Sequence, residues 1–234
     1  FYGNTLQNGF ILDDRPTIEQ NPYVQSLRYL PKAITGCVWE GASGSCEGAE
    51  HYRPVLNVSY LLTWLISPNP AFFHLVNLLY FLGVVFLVFV LVNTITKNFT
   101  LSFLTALLFL IHPINNEVVN WISATSELTF AIFTLLAVLY YFRYRNTGLS
   151  KHLFLVLLFY FLALLSKEVA IALPLVMVAI DALFFQTGVR QFLAWPTIKR
   201  YLLFAIPVFV YLMMRFAAIG AKALTGGREQ FGGY

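Results

Sequence analysis

Long apolar runs, separated by short polar breaks, occupy most of the chain after residue 51. A membrane-spanning helix needs about 20 mainly apolar residues, and six runs are taken as predicted spans on this basis. They are Ala71–Thr94, Phe99–His112, Leu128–Phe142, His152–Ser166, Val169–Phe185 and Tyr201–Gly220. A further apolar stretch, Tyr52–Ile66, ends at Ser-Pro-Asn-Pro and is interpreted as a helix at the membrane interface. The pattern predicts an all-α polytopic membrane protein with about six to seven transmembrane helices.

Residues 1–51 differ from the rest of the chain because they are polar and interrupted by three prolines, Pro16, Pro22 and Pro31. We interpret them as a long extracytoplasmic loop with short surface helices. Residues 52–220 then form the transmembrane domain. The Gly-rich stretch 221–234 is interpreted as an extracytoplasmic tail, expected to lead into a further C-terminal domain.

The composition agrees with this interpretation. Hydrophobic residues make up 59% of the chain and charged residues only 11%, against roughly 45–50% and 25% in soluble domains. So much apolar surface requires lipid as the solvent. The composition therefore excludes a soluble globular domain, a disordered tail and a nucleic-acid binder.

The few charged residues are sorted along the predicted topology. The inner loops are basic and carry Lys97, Arg143, Arg145, Lys151, Arg190, Lys199 and Arg200. This bias fits the positive-inside rule and places the first loop on the extracytoplasmic face. Every acidic residue except Asp181 falls on the outer side. Asp181 lies within a predicted span and is interpreted as a local hydrogen-bonding residue.

Cys37 and Cys46 both lie in the predicted extracytoplasmic loop, where the compartment permits disulfides. Gly41 and Gly44, between them, let the chain turn back. A disulfide is therefore predicted. A metal site is less favoured, since two cysteines do not complete a tetrahedral ligand set.

Two adjacent carboxylates, Asp13 and Asp14, are the first candidate for chemistry. They are suited to act as a general base or to coordinate a divalent cation, Mg or Mn. The alternative is a solvated pair that caps a following helix, with Pro16 in its first turn.

Three further polar positions map to the same predicted face. Arg53 is suited to bind a phosphate, or else to pair with Glu50. The predicted surface helix after His112 carries Glu117, and both suit a polar ligand or simple anchoring at the interface. Lys167 and Glu168 interrupt two apolar runs and mark either a phosphate site or a solvated turn.

These motifs together resemble the membrane half of GT-C class glycosyltransferases. The resemblance is greatest to the transmembrane-plus-tetratricopeptide-repeat (TMTC-like) protein O-mannosyltransferase family. It rests on Asp13-Asp14 followed by Asn21-Pro22, on Tyr52-Arg53-Pro54, on His112-Pro113 with Glu117, and on Ser166-Lys167-Glu168. It extends from about Phe10 to Gly220.

The resemblance implies transfer of a sugar from a polyprenyl-phosphate carrier to a protein or lipid acceptor on the extracytoplasmic face. Asp13 or Asp14 would be the catalytic base or a metal ligand, and Arg53 and Lys167 would hold the carrier phosphate. His112, Glu117 and Glu168 would line the pocket. The membrane is then a plasma or inner membrane, or the endoplasmic reticulum.

A second function class stays open. The chain is also consistent with a non-catalytic GT-C-like subunit that packs against other subunits of a larger membrane complex. A channel or transporter is less favoured, because few charges lie within the predicted spans and no inverted repeat is visible.

Overall fold

The computed structural model describes residues 2–46, 51–185 and 188–220. Its α-helices, numbered in chain order, are α1 (Leu30–Thr35), α2 (Glu40–Ser43), α3 (Pro54–Ile66), α4 (Pro70–Thr96), α5 (Phe99–Ile111), α6 (Asn116–Asn120), α7 (Thr125–Thr147), α8 (Ser150–Ser166), α9 (Leu173–Phe184), α10 (Val189–Phe192), α11 (Trp195–Leu203) and α12 (Ala205–Ile219). Short 3-10 turns lie at Gly3–Gln7, Pro22–Val24, Leu27–Tyr29, Pro113–Asn115, Ile122–Ala124 and Glu168–Ala172, with a π-helical turn at Arg15–Glu19. The described chain is all-helical, as predicted.

The chain divides into two compact units. Unit 1 comprises the described residues of Phe1–Leu79, Ile114–Ser126 and Leu212–Tyr234. Unit 2 comprises those of Tyr80–Pro113 and Glu127–Tyr211.

A hydrophobic core holds the first loop of unit 1 against α3. Its buried members come from the loop, from α3 and from two later segments: Ile18, Val24, Ala33, Val38, Leu56, Tyr60, Leu61, Phe73 and Ile122. Phe10 packs on this core, with its ring edge-on to Phe73 at 5.4 Å between centroids. The first loop is therefore a folded cap with its own apolar interior, since its inward side chains bury against the helix.

Polar contacts fix the same cap. The Tyr52 hydroxyl donates to the Ile34 carbonyl at 2.8 Å, and Asn57 Nδ2 donates to the Ala33 carbonyl at 3.2 Å. Both carbonyls belong to α1, whose last orphan carbonyls need partners. The predicted Cys37–Cys46 disulfide is confirmed, with 5.8 Å between the Cα atoms. Glu47 and Glu50 lie outside the described residues, so the predicted Arg53–Glu50 pairing lies outside them as well.

In unit 2, a tight turn joins α4 to α5. Lys97 takes a left-handed backbone conformation with φ of 54°, which ends α4. The side chain of Asn98 then caps α5 by accepting from the Leu101 N–H at 3.0 Å. The predicted inner loop is thus only the break between these two helices.

The predicted number of spans is wrong. Three helices are long and apolar enough to cross a membrane: Pro70–Thr96, Ile122–Thr147 and Trp195–Ile219. A fourth is reached only if the bent pair Phe99–Ile111 and Pro113–Asn120 counts as one span. The described chain therefore has three to four candidate spans, not six to seven.

The physical reason is helix length. Helix α8 has 17 residues, so at 1.5 Å per residue it extends only about 25 Å, short of a hydrocarbon core of about 30 Å. The predicted span Val169–Phe185 is broken, because a 3-10 turn occupies Glu168–Ala172 and leaves a 12-residue α9. Apolar composition alone did not reveal these breaks. The predicted tail 221–234 lies outside the described residues.

The core of unit 1 can be tested with two neighbouring leucines. Leu61 is fully buried, whereas Leu62 is 54% exposed. Leu61→Ala should destabilise the fold by about 2–5 kcal/mol, because it leaves a cavity in the core. Thermal unfolding in detergent micelles measures this loss, with Leu62→Ala as the matched control. Equal losses in the two variants would contradict the described core.

Candidate functional site

The two adjacent carboxylates have opposite environments. Leu12, just before them, takes a left-handed backbone conformation with φ of 46°, which is uncommon for a bulky side chain. Asp14 is fully buried, whereas Asp13 is exposed. One carboxylate of the pair is thus buried, and the other faces solvent.

The buried carboxylate of Asp14 is held by three hydrogen bonds. Its Oδ1 accepts from the Ser123 N–H at 2.8 Å and from the Ser123 hydroxyl at 2.6 Å. Its Oδ2 accepts from the Ile11 N–H at 3.2 Å. These donors replace the water that burial removes. Asp14 therefore ties the first loop to a segment 109 residues later.

Asp13 has no recorded side-chain partner in the part of the chain that the structure describes. Only its carbonyl oxygen is engaged, as acceptor for the Thr17 hydroxyl and the Thr17 N–H. Asp14 occupies the N-cap position of the π-helical turn but makes no side-chain cap hydrogen bond. Asp14 therefore has the N-cap position, with Pro16 in the first turn as the capping alternative expects, but its side chain bonds to Ser123 instead.

Burial raises the pKa of the Asp14 carboxyl above its ordinary value of 3.8, because loss of solvent penalises the charged form. The hydrogen bonds from Ser123 and Ile11, and the charge of His74, act in the opposite direction. The net effect is a carboxyl that holds its proton to a higher pH than an exposed aspartate.

The segment that receives Asp14 is itself held by a polar network. Asn77 Nδ2 donates to the carbonyls of Val118, Val119 and Trp121, at 2.9, 3.2 and 3.3 Å. The Thr125 hydroxyl hydrogen-bonds Asn77 Oδ1 at 3.0 Å. One buried amide thus fixes the backbone that leads to Ser123.

Two further contacts complete this network. The Tyr60 hydroxyl donates to the Ile122 carbonyl at 3.0 Å. His74 is fully buried and its Nδ1 lies 3.1 Å from the Thr5 hydroxyl. Sequence reasoning missed Ser123, Asn77 and His74. For Asn77 and His74 the available signal is a polar side chain inside an apolar span, which is typical of a functional or structural hydrogen bond.

Arg53 is attached to the same segment as Asp14. Its Nη1 donates to the Ser126 hydroxyl at 3.4 Å, and its Nη2 lies 3.4 Å from His51 Nδ1. Ser126 follows Ser123 by three residues. One short stretch, Ser123–Ser126, therefore contacts both the Asp14 carboxylate and the half-buried guanidinium of Arg53.

The other predicted site residues lie elsewhere in the two units. Glu117 is exposed on α6 in unit 1, and His112 is exposed at the end of α5 in unit 2. In unit 2, Lys167 Nζ contacts both carboxylate oxygens of Glu127 at 2.5 Å. Glu168 begins the 3-10 turn after α8. Lys167 is thus an ion-pair partner, and its predicted role as a phosphate ligand stays a prediction.

The donor set of the acidic pair does not favour a bound cation. Hydrogen bonds occupy three acceptor positions of Asp14, which leaves that carboxylate little capacity to bind metal. Among the described residues, the one group of three metal-binding side chains is Cys37, Glu40 and Cys46. Its two sulfurs form the disulfide and are not available as thiolates. The prediction of a Mg or Mn ion at Asp13 and Asp14 stays a prediction.

The fold and site define a helical membrane protein in which one short segment contacts both a buried aspartate and an arginine. The chain is distantly homologous to protein O-mannosyl-transferases of the TMTC group, which confirms the predicted resemblance. No protein-family model and no solved structure match the chain.

Three relatives show the extent of the homology. Homo sapiens TMTC1 is 36% identical over 152 residues, which cover 63% of this chain and 17% of that protein. Drosophila melanogaster Tmtc1 is 30% identical over 171 residues, 73% of this chain and 20% of that protein. Homo sapiens TMTC3 is 30% identical over 146 residues, which cover 62% of this chain and 16% of that protein. The chain thus spans a fifth or less of the length of these curated relatives.

The raised pKa of Asp14 predicts a pH dependence of stability. The folded protein holds the Asp14 proton more tightly than the unfolded chain, so this stabilising contribution is fully present below the ordinary value of 3.8. It is lost as the pH rises through the folded-state pKa. The stability of the wild type relative to Asp14→Asn, which does not titrate, should therefore decline as the pH rises from about 4 to 7.

Thermal unfolding across this pH range measures the difference between the two proteins. Glu19→Gln removes an exposed carboxylate of the same loop and serves as the matched control. A wild-type advantage that grows with pH would contradict the assignment.

Proposed function

We propose that the protein is a membrane glycosyltransferase that moves mannose from a polyprenyl-phosphate carrier to a protein hydroxyl on the extracytoplasmic face. The observation that supports it is the division within the acidic pair: Asp14 is anchored, and Asp13, next to it, is exposed. Mannose and a protein acceptor are inferred from the homologues, which are named protein O-mannosyl-transferases.

In the proposed reaction, Asp13 is the general base. Its carboxylate takes the proton from the acceptor hydroxyl while that oxygen bonds to the anomeric carbon of mannose. The bond from that carbon to the carrier phosphate oxygen breaks, and polyprenyl phosphate leaves with the electron pair. A general base requires an accessible carboxylate within hydrogen-bond distance of the hydroxyl, and the exposure of Asp13 satisfies the first condition.

Asp14 is a positioning residue in this proposal. Its three hydrogen bonds fix the backbone at the strained Leu12 turn, so Asp13 is presented from a rigid position. Rigid placement matters because proton transfer depends steeply on geometry.

Arg53 is proposed to hold the carrier phosphate. Its guanidinium is planar and suited to bidentate contact with phosphate oxygens. The Ser126 contact places Arg53 on the segment that also receives Asp14, so one backbone stretch supports both the phosphate ligand and the positioning residue. Glu117 of unit 1 stays a candidate for binding the sugar, and the ligand roles of His112, Lys167 and Glu168 stay predictions.

Asp13→Asn tests the proposed base. Transfer of labelled mannose from a polyprenyl-phosphate donor to a protein acceptor should fall by about 10²–10⁴-fold in kcat, because the amide cannot accept the proton. The melting temperature should stay unchanged, since Asp13 is exposed. Glu19→Gln, which removes another exposed carboxylate of the loop, should retain activity.

Full activity of Asp13→Asn would refute the role of Asp13. A wild-type protein that transfers no sugar in the reconstituted membrane would instead favour the non-catalytic subunit of a larger complex.

Arg53→Gln tests the proposed phosphate contact. The KM for the polyprenyl-phosphate donor should rise roughly 10- to 100-fold, the effect of losing one charge-assisted hydrogen bond. Arg28→Gln, at an exposed arginine of the same cap, is the matched control and should leave KM unchanged. A change confined to kcat in Arg53→Gln would point to a different role.

A further inference from the structure

A second buried charge cluster lies in unit 2, built from side chains of three helices. Asp181 of α9 is fully buried. Arg145 of α7 forms an ion pair with its Oδ1, and Arg200 of α11 forms one with its Oδ2. The Tyr201 hydroxyl also donates to Oδ2, at 2.7 Å. The Arg145–Asp181–Arg200 cluster therefore joins three elements around one carboxylate.

The cluster is not electrically neutral. Two guanidinium groups face a single carboxylate, so the cluster carries one excess positive charge. Both arginine side chains are largely buried, at 18% and 11% exposure. Among the described residues, the recorded ion pairs give neither arginine an acid other than Asp181. A largely buried excess charge is costly unless a counter-charge compensates it.

The cluster also has a buried hydrogen-bond donor without an acceptor among the described residues. Arg200 Nε is buried and has no hydrogen-bond partner in the part of the chain that the structure describes. Each guanidinium has five N–H donors in a fixed fork, and one carboxylate with a tyrosine already on it uses few of them. An anion with several acceptor oxygens, such as a phosphate group, would therefore pair with the remaining N–H donors.

The surrounding residues indicate that this cluster lies at a membrane surface. Trp195, at the start of α11, is 68% exposed and Leu193 just before it is 70% exposed. Exposed tryptophan beside basic residues is typical of the membrane–water interface. Lys199 on the same helix is exposed as well. Headgroup phosphates lie at this depth, and basic pockets between helices bind them.

We propose that the Arg145–Asp181–Arg200 cluster binds a phosphate group, supplied by the headgroup of an anionic phospholipid. The headgroup supplies the missing negative charge and accepts from the unused guanidinium donors, so it bridges α7 and α11. None of these residues belongs to the candidate site of unit 1, and the proposal does not depend on the transfer reaction.

The test compares the melting temperature of the reconstituted protein in nanodiscs of phosphatidylcholine with nanodiscs that also contain phosphatidic acid. The acidic lipid should raise the wild-type melting temperature by roughly 5–10 °C, the effect of a ligand near saturation. Arg145→Gln and Arg200→Gln should lose most of this rise. Lys199→Gln removes one exposed positive charge from the same helix and should retain it.

Asp181→Asn separates lipid binding from a purely structural ion pair. The substitution raises the excess charge of the cluster from one to two, so the stabilisation by phosphatidic acid should be larger than in the wild type, even if the variant is less stable in phosphatidylcholine. Arg200→Lys keeps the charge but loses the fork, and a reduced rise is expected there. An equal loss of lipid stabilisation in Lys199→Gln and Arg200→Gln would overturn the proposal.

Inorganic phosphate added to phosphatidylcholine nanodiscs distinguishes the two sources of the phosphate. If phosphatidic acid raises the melting temperature and free phosphate does not, the lipid headgroup is supported as the ligand. If phosphatidic acid and free phosphate raise the melting temperature equally, and the rise depends on Arg145 and Arg200, the phosphate site is supported but its ligand is soluble. If neither additive raises the melting temperature in a way that depends on the two arginines, the proposal is overturned.

Discussion

The structure of unit 1 depends on one buried carboxylate. Asp14 has left water, so its charge and lone pairs require donors from the protein, and Ser123 supplies two of the three. This requirement draws the first loop onto the segment that Asn77 and Tyr60 hold from the other side. The cap, α3 and the Ile122–Ala124 turn are thereby fixed together. Asp13 and Arg53 inherit their positions from that arrangement.

Much of the architecture could be predicted from the apolar runs and the short polar breaks between them. The long helices Pro70–Thr96 and Thr125–Thr147 contain two of the predicted spans, and the disulfide followed from compartment and spacing. The span count failed because composition does not show where backbone hydrogen bonding changes. The 3-10 turn at Glu168–Ala172 occupies the start of the predicted span Val169–Phe185, and only its geometry shows where the α-helix begins.

The candidate site was predicted as a set of residue types, without its internal division of roles. Adjacent aspartates are equivalent in a sequence, and the contacts of Asp14 with Ser123 and Ile11 make them different. Ser123 could not be found, since its role comes from a contact that no local pattern encodes. Asp181 was noticed as the lone acid within a predicted span, but its two arginines lie 36 and 19 residues away along the chain. Pairings of this kind are set by tertiary packing.

The cross-links of the cap differ greatly in the length of chain they enclose. The Cys37–Cys46 bond closes over nine positions and can form soon after that stretch leaves the ribosome. The Asp14–Ser123 bond spans 109 residues, so it forms only after Ser123 has been made, several seconds after Cys46 at roughly 5–20 residues per second. During that interval the cap has its covalent link, and the Asp14 carboxylate is still hydrated. The sequence therefore sets the order of assembly: the disulfide of the cap forms first, and the cap packs on the Ser123 segment only after that segment has been synthesised.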